Sequence, residues 1–327
     1  MSWISFNSYC RRITPDSKQK KICLVLGAGI HNLLKSNMDG RMYEAVTFLS
    51  YWKKLAGGVA PKYASKFPST LAWELALLDS GANIEDGDKP VFEREIKKSK
   101  ELAEQIRNFE EVVLSSNSCL IDYSPLIKIL QSGLVSDVIS FNFDLITERL
   151  CLTSSANQQN VSDLPKIKGP FRPVKSNNNQ SIRFWHPHGD YTNHKQLVFG
   201  TWRYARLLKQ MEKSRGQFKE AEKMRLVMSG PIVDEDPCDW LDLFMTQPLL
   251  FIGMSLDEAD LTPWLALLIK HRNFAKSSNR SKMPESWRLC IPGDGEHIPS
   301  RWVQRLEARN YDDAWGYLNQ HMTSPTK

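Results

Sequence analysis

Four short stretches place chemically useful side chains directly after apolar runs. Gly27-Ala28-Gly29-Ile30-His31 follows Ile22 to Leu26, and Asn142 and Asp144 lie in F-N-F-D after Val138 to Phe141. His186, His188 and Asp190 follow I-R-F-W, and Gly253, Ser255 and Asp257 follow Leu249 to Ile252. Two glycines after a buried strand let the backbone approach a diphosphate, whose charge meets amide N–H groups and the positive end of the next helix. The dinucleotide fingerprint asks for a third glycine where Asn32 stands, so a plain strand-to-helix turn also explains the pair. Asn142 and Asp144 share one face of an extended chain and suit a sugar or an amide. Alternatively, Asn142 caps the next helix with Asp144 in its first turn. His186 and His188 have the same spacing of two, but no third ligand at matching spacing accompanies them as a metal pair. That leaves His188, loosened by Gly189, as a catalytic or ribose-contacting group. Ser255 or Asp257 makes a reasonable helix N-terminus, which is compatible with ligand contact. A Ser255–His188–Asp144 hydrolase triad lacks the G-x-S-x-G elbow that exposes such a serine.

These residues need elements to bring them together. Ile22 to Leu26, Val138 to Phe141, Leu249 to Ile252 and Arg288 to Ile291 read as buried strands, and I-R-F-W-H and Q-L-V-F-G as shorter ones. Helical character runs through Arg41–Leu55, Ser69–Asp79 after Pro68, and the spacing of Leu102, Ile106, Phe109 and Val113. A further helix from Pro125 to Leu130 is ended by Gly133. Residues 153–180 read as a surface excursion, and Tyr204 to Val227 as one or two solvated helices broken near Gly216. The expected fold is α/β, a Rossmann-like parallel sheet with a large helical insertion at about residues 35–130. Residues 1–20 form an N-terminal extension, 21–310 the domain, and 311–327 a C-terminal tail. In such a sheet the carboxyl ends of the strands border one crevice, where the four stretches converge.

Composition narrows the function classes. Of 327 residues, 41% are hydrophobic and 24% charged, which makes a globular chain rather than a disordered one. No apolar run reaches the roughly 18 residues of a membrane span, so no membrane partner is expected. Charges follow the few apolar residues of the opening segment, the wrong order for a secretory signal, and the cytoplasm is the expected location. Six cysteines at 10, 23, 119, 151, 238 and 290 form no Cys-x-x-Cys pair for zinc or redox work. A net charge of +6 favours anionic ligands. The basic stretch His271 to Lys282 reads as a solvated face, so direct nucleic-acid binding is not expected.

Taken in order, the four motifs resemble those of the sirtuin-like family, specifically its zinc-free, NAD-hydrolysing branch of bacterial defence effectors. G-A-G-I-H is similar to the family's G-A-G-I-S, F-N-F-D to its Q-N-I-D or T-N-Y-D, His188-Gly189 to its His-Gly, and G-M-S-L to its G-T-S-L. The resemblance implies that Gly27, Ala28 and Gly29 hold the NAD diphosphate, with His31 where the family has Ser. It places Asn142 on the nicotinamide ribose or the attacking water, and Asp144 near the nicotinamide amide. His188 acts on the ribose hydroxyls or the water, and Gly253 and Ser255 contact the adenosine side. The G-I-P-D-F-R segment of the deacylases is replaced by N-L-L-K-S-N. Only six residues separate Asp190 from Leu197, where deacylases insert a four-cysteine zinc module. The implied activity is therefore an NAD glycohydrolase, a regulated toxic effector of anti-phage defence, with NAD as substrate and no zinc or other cofactor. An activating or inhibiting protein partner, or assembly into a homo-oligomer, is implied as its control, with the charged helix from Tyr204 a candidate docking surface. The alternative is a catalytically silent subunit that senses NAD or ADP-ribose, and a protein deacylase comes third.

Overall fold

The computed structural model describes residues 2–13, 21–27, 29–30, 91–115, 123–152, 171–175, 181–198, 203–215, 239–254, 256, 261–275, 283–291 and 301–323. Ala28, His31 and Ser255 lie outside these residues, as do the helices expected at 41–55 and 69–79. The described elements run α1 (Ser2–Arg12), β1 (Ile22–Leu26), α2 (Val91–Ser115), α3 (Ser124–Gln131), β2 (Val135–Ser140), α4 (Ile146–Leu152), β3 (Arg172–Lys175) and β4 (Ser181–Trp185). A 3-10 turn (Tyr191–Gln196), helix α5 (203–215), α6 (Trp240–Thr246), β5 (Leu249–Ile252), α7 (Leu261–Asn273), β6 (Ser286–Cys290), β7 (Gln304–Glu307) and α8 (Tyr311–Thr323) follow.

One seven-stranded sheet has the order β3-β4-β2-β1-β5-β6-β7. Every pair is parallel except β3–β4. Without β3, the parallel strands run third, second, first, fourth, fifth, sixth, the order of the dinucleotide-binding doubly wound sheet. The fold is α/β and Rossmann-like. All five β1 side chains are buried because both faces of the sheet are covered. Ile22, Leu24 and Leu26 join a layer with Phe6 of α1, Leu126 and Ile129 of α3, and Leu318 of α8. Cys23 and Val25 point the other way, toward Leu207 and Met211 of α5, Phe244 of α6 and Leu267 of α7.

Several expectations need amendment. The excursion at 153–180 contains β3, an edge strand whose Pro173 is tolerated because it needs no second ladder partner. The strand expected at Gln196–Gly200 is not formed in its described part. Gln196 ends the 3-10 turn, which Asp190 starts by accepting from the Thr192 amide, and residues 197 and 198 are irregular. The segments set apart as extension and tail also contribute to the core. Trp3 Nε1 donates to the Glu307 carbonyl at 2.7 Å, Phe6 and Tyr9 pack on Trp287, and Ala314, Leu318 and Met322 of α8 are buried. Gly133 follows the end of α3 as expected. Among the described residues no helix is long and apolar enough to cross a membrane.

Candidate active site

The loops after β4, β2, β1 and β5 lie side by side at the carboxyl edge, with β2 and β5 flanking β1 at the topological switch point. Hydrogen bonds tie each loop to the next. Asn142 Nδ2 donates to the Gly27 carbonyl at 3.3 Å, the Tyr191 amide to the Phe143 carbonyl at 3.0 Å, and the Gly29 amide to the Gly253 carbonyl at 2.9 Å. The sheet thus delivers Gly27, Gly29, Asn142, His188 and Gly253 to one edge.

The glycines are there for a reason the sequence did not disclose. A Cβ on Gly29 would stand 2.7 Å from the Gly253 carbonyl oxygen, and one on Gly27 2.5 Å from Met254 Cγ. Gly253 has φ +69, and a Cβ there would come within 2.2 Å of the Ile30 nitrogen. Two turns meet backbone to backbone, and only glycine permits it. The Gly27, Gly29 and Ile30 amides are spent on the Ile252, Gly253 and Gly27 carbonyls. Arg288 of β6 supports the β5 loop from behind, its Nε donating to the Met254 carbonyl at 3.0 Å.

Asn142 is buried, 8% exposed. It does not cap α4. Asp144 does, its Oδ1 accepting from the Ile146 amide at 3.2 Å. Glu110 of α2 reaches the same helix end, accepting from the Leu145 amide at 3.0 Å and pairing with Arg149 at 2.8 Å. Burial pushes the Glu110 carboxyl up to about 7 despite those two donors.

The two histidines diverge. His186 Nε2 lies 2.5 Å from Glu148 Oε1, and Nδ1 lies 3.1 Å from the Asn142 carbonyl oxygen. A carboxylate and a carbonyl only accept, so both ring nitrogens carry protons and the ring is an imidazolium. Burial alone would depress its pKa, but the charge and hydrogen bond of Glu148 lift it to about 9. Both His186 nitrogens are engaged, by Glu148 and the Asn142 carbonyl, whereas a metal pair with His188 needs one of them free. His188 sits among Phe141, at 5.2 Å edge-on, Phe143 and Thr262, and its Nε2 is 3.0 Å from Thr262 Oγ1. Burial lowers its pKa to about 4, so the ring is neutral at pH 7. Of the Ser255–His188–Asp144 triad, Ser255 lies outside the described residues, while His188 Nε2 faces Thr262 and Asp144 Oδ1 caps α4.

Asp190 completes the loop. It pairs with Arg172 of β3 at 3.1 Å, and burial, which would raise its carboxyl, is outweighed by His186 and the bonds from Thr192 and Arg172, which hold it low. The Val198 amide donates to the His188 carbonyl at 2.7 Å, and Gly189, φ +76, meets the Gln196 carbonyl. The segment is closed on itself, with no room for an inserted module between Asp190 and Leu197.

A model of the SIR2-like domain family matches residues 136–302, about half of the chain. The chain belongs to the SIR2-like family. No curated protein matches it. The SIR2-like match covers the loops after β2, β4 and β5, while β1 and its glycine turn precede it. A SIR2-like domain points to NAD-related activity and is compatible with an NAD-dependent enzyme. Sequence reasoning missed Glu148, Thr262, Tyr204 and Glu110, which hold the SIR2-like loops in place. L-T-P-W at 261–264 carries only a helix-start signal, and nothing in T-E-R-L at 147–150 marks its charges as buried.

Proposed function

We propose that the chain hydrolyses NAD at the bond between nicotinamide and ribose, as a regulated toxic effector of anti-phage defence. The observation that carries this reading is the meeting of the Asn142 loop and a neutral His188 at the switch point, beside the glycine turn.

The reaction asks little of an acid. The C1′–N1 bond breaks with its electron pair going to nicotinamide, which leaves as a neutral molecule, while positive charge develops on the ribose. Water then adds to C1′ and gives up one proton, so NAD and water yield nicotinamide, ADP-ribose and a proton. The protein must hold the dinucleotide, shelter the cation and receive the proton. His188 is uncharged at neutral pH and so adds no repulsion toward the cation, and a bare imidazole nitrogen accepts a proton. Asn142 anchors through Nδ2 to Gly27, leaving Oδ1 for a ribose hydroxyl or the water. The diphosphate is assigned to the turn from Gly27 through Ala28 and Gly29 to His31, Asp144 to the nicotinamide side, and Gly253 with Ser255 to the adenosine side. No cofactor is invoked. Control by a partner protein or by assembly belongs to the same proposal, since free NAD hydrolysis would kill the cell that makes the enzyme.

The test is incubation of the full chain with NAD, alone and with the products of neighbouring genes and their trigger. Equal release of nicotinamide and ADP-ribose, reduced about 100-fold or more in Asn142→Ala and His188→Ala, supports hydrolysis. Tight NAD binding without turnover under activating conditions favours a sensing subunit instead.

A further inference from the structure

We propose that Thr262 and Tyr204 are positioning residues for His188, their hydroxyl chain accepting from Nε2 so that Nδ1 is the nitrogen that receives the proton. The inference rests on the reading of His188 as proton acceptor and adds two residues to it.

Thr262 stands in the first turn of α7 and is 1% exposed, while Tyr204 stands on α5. Two separate helices therefore meet at the one hydroxyl that faces the imidazole. Thr262 Oγ1 lies 3.0 Å from His188 Nε2 and 3.1 Å from the Tyr204 hydroxyl oxygen. Threonine has a single hydroxyl proton, so the chain runs in one direction at a time. When the ring takes a proton at Nδ1, both of its nitrogens carry N–H, and a hydroxyl facing Nε2 can then only accept. Thr262 must donate onward, and the Tyr204 oxygen is in reach to receive it. The direction from His188 through Thr262 to Tyr204 is thus the one that serves both the neutral and the protonated ring without rearrangement. With Nε2 held by Thr262, Nδ1 is the ring nitrogen left to take the proton.

Phe141 and Phe143 restrict the ring further. Their rings lie 5.2 and 6.3 Å from the imidazole centroid, so its plane is set by packing and its nitrogens by the hydroxyl chain. Neither Thr262 nor Tyr204 is placed to touch NAD by this argument.

The test uses the full chain labelled with ¹⁵N-histidine at pH 7, with the His188 signals assigned among the seven histidines by their loss in His188→Gln. Wild type is expected to carry the proton on Nε2. Thr262→Val keeps the shape and removes the acceptor, so a population protonated at Nδ1 should appear, and Thr262→Ser should restore the original spectrum. Turnover of NAD should fall about tenfold in kcat for Thr262→Val with KM unchanged. Tyr204→Phe should shift the same signals more weakly, and it carries the test should Thr262→Val fail to fold. A wild-type ring protonated at Nδ1, or Thr262→Val and Tyr204→Phe spectra identical to wild type, would overturn the inference. The expected spectra in a chain that never turns over NAD would uphold the hydroxyl chain while removing the proposed reaction, so the two failures are distinguishable.

Discussion

His186 and His188 stand two positions apart and answer to opposite environments. A carboxylate and a carbonyl make the first an imidazolium, while burial among aromatic rings keeps the second neutral. His186 therefore reads as the clamp on the Asn142 backbone and His188 as the group open to chemistry. Removing the clamp leaves Glu148 buried and unpaired, so His186→Gln should cost about 3 kcal/mol of stability. The sign of its pH dependence follows from the folded pKa of about 9 against an ordinary 6.5. The contribution is whole below about pH 6.5 and fades as pH rises through about 9. The stability gap between wild type and His186→Gln, from urea unfolding at pH 6 and pH 9.5, should therefore shrink at the higher pH. Taking the difference matters because Lys270, buried against the Gln247 carbonyl and Ser286 with its pKa depressed to about 7 by burial, works in the opposite direction between about 7 and 10.5. An equal gap at both values would mean that His186 is not held charged. Gly253 makes the other prediction at this scale. Its left-handed backbone and the Ile30 nitrogen leave no place for a methyl group, so Gly253→Ala should lower stability by about 2 kcal/mol or more. An unfolding midpoint unchanged from wild type would contradict the backbone contact.

At the scale of elements, α4 is the hub beneath the crevice. Its Glu148 holds the β4 loop through His186, its Arg149 holds α2 through Glu110, and Asp144 with Glu110 caps its start. Glu110→Ala should remove the Arg149 ion pair and free the Leu145 amide, at a cost of about 3 kcal/mol, while hydrogen exchange rises first around residues 142–146. Uniform exchange across the sheet would show instead that α2 does not stabilise this loop. Much of the element plan was open to reading from the chain. Ile22 to Leu26 and Leu249 to Ile252 are apolar throughout because both sheet faces are covered, which is a pattern that a sequence displays. β3, as R-P-V-K, and β7, as Q-R-L-E, are edge strands whose outer positions need not be apolar, so they carry no such pattern. The run L-V-F looked like a strand, but the Asp190 cap and the tight closure at Gly189 hold the chain before it in a turn.

For the whole molecule, the strand order matters more than any motif. It sets the glycine turn between the Asn142 loop and the Gly253 loop, with the β4 loop next beyond Asn142. The order of motifs in the sequence made Asn142 and His188 legible as a pair. The chain did not reveal that His186 pairs with Glu148 or that Tyr204 backs the Thr262 hydroxyl that meets His188, because those partnerships depend on which helix packs over which loop. Nor did it reveal that the glycines serve a backbone contact between turns, since a diphosphate and a neighbouring chain impose the same demand. If the edge holds one dinucleotide, its occupant spans from the glycine turn to Asn142. The most direct measurement is a crystal structure of the full-length His188→Ala variant with NAD. The diphosphate is expected against the turn at Gly27 to Gly29 and the nicotinamide ribose between Asn142 and position 188. NAD bound at the opposite edge of the sheet, or with its ribose remote from Asn142, would contradict it.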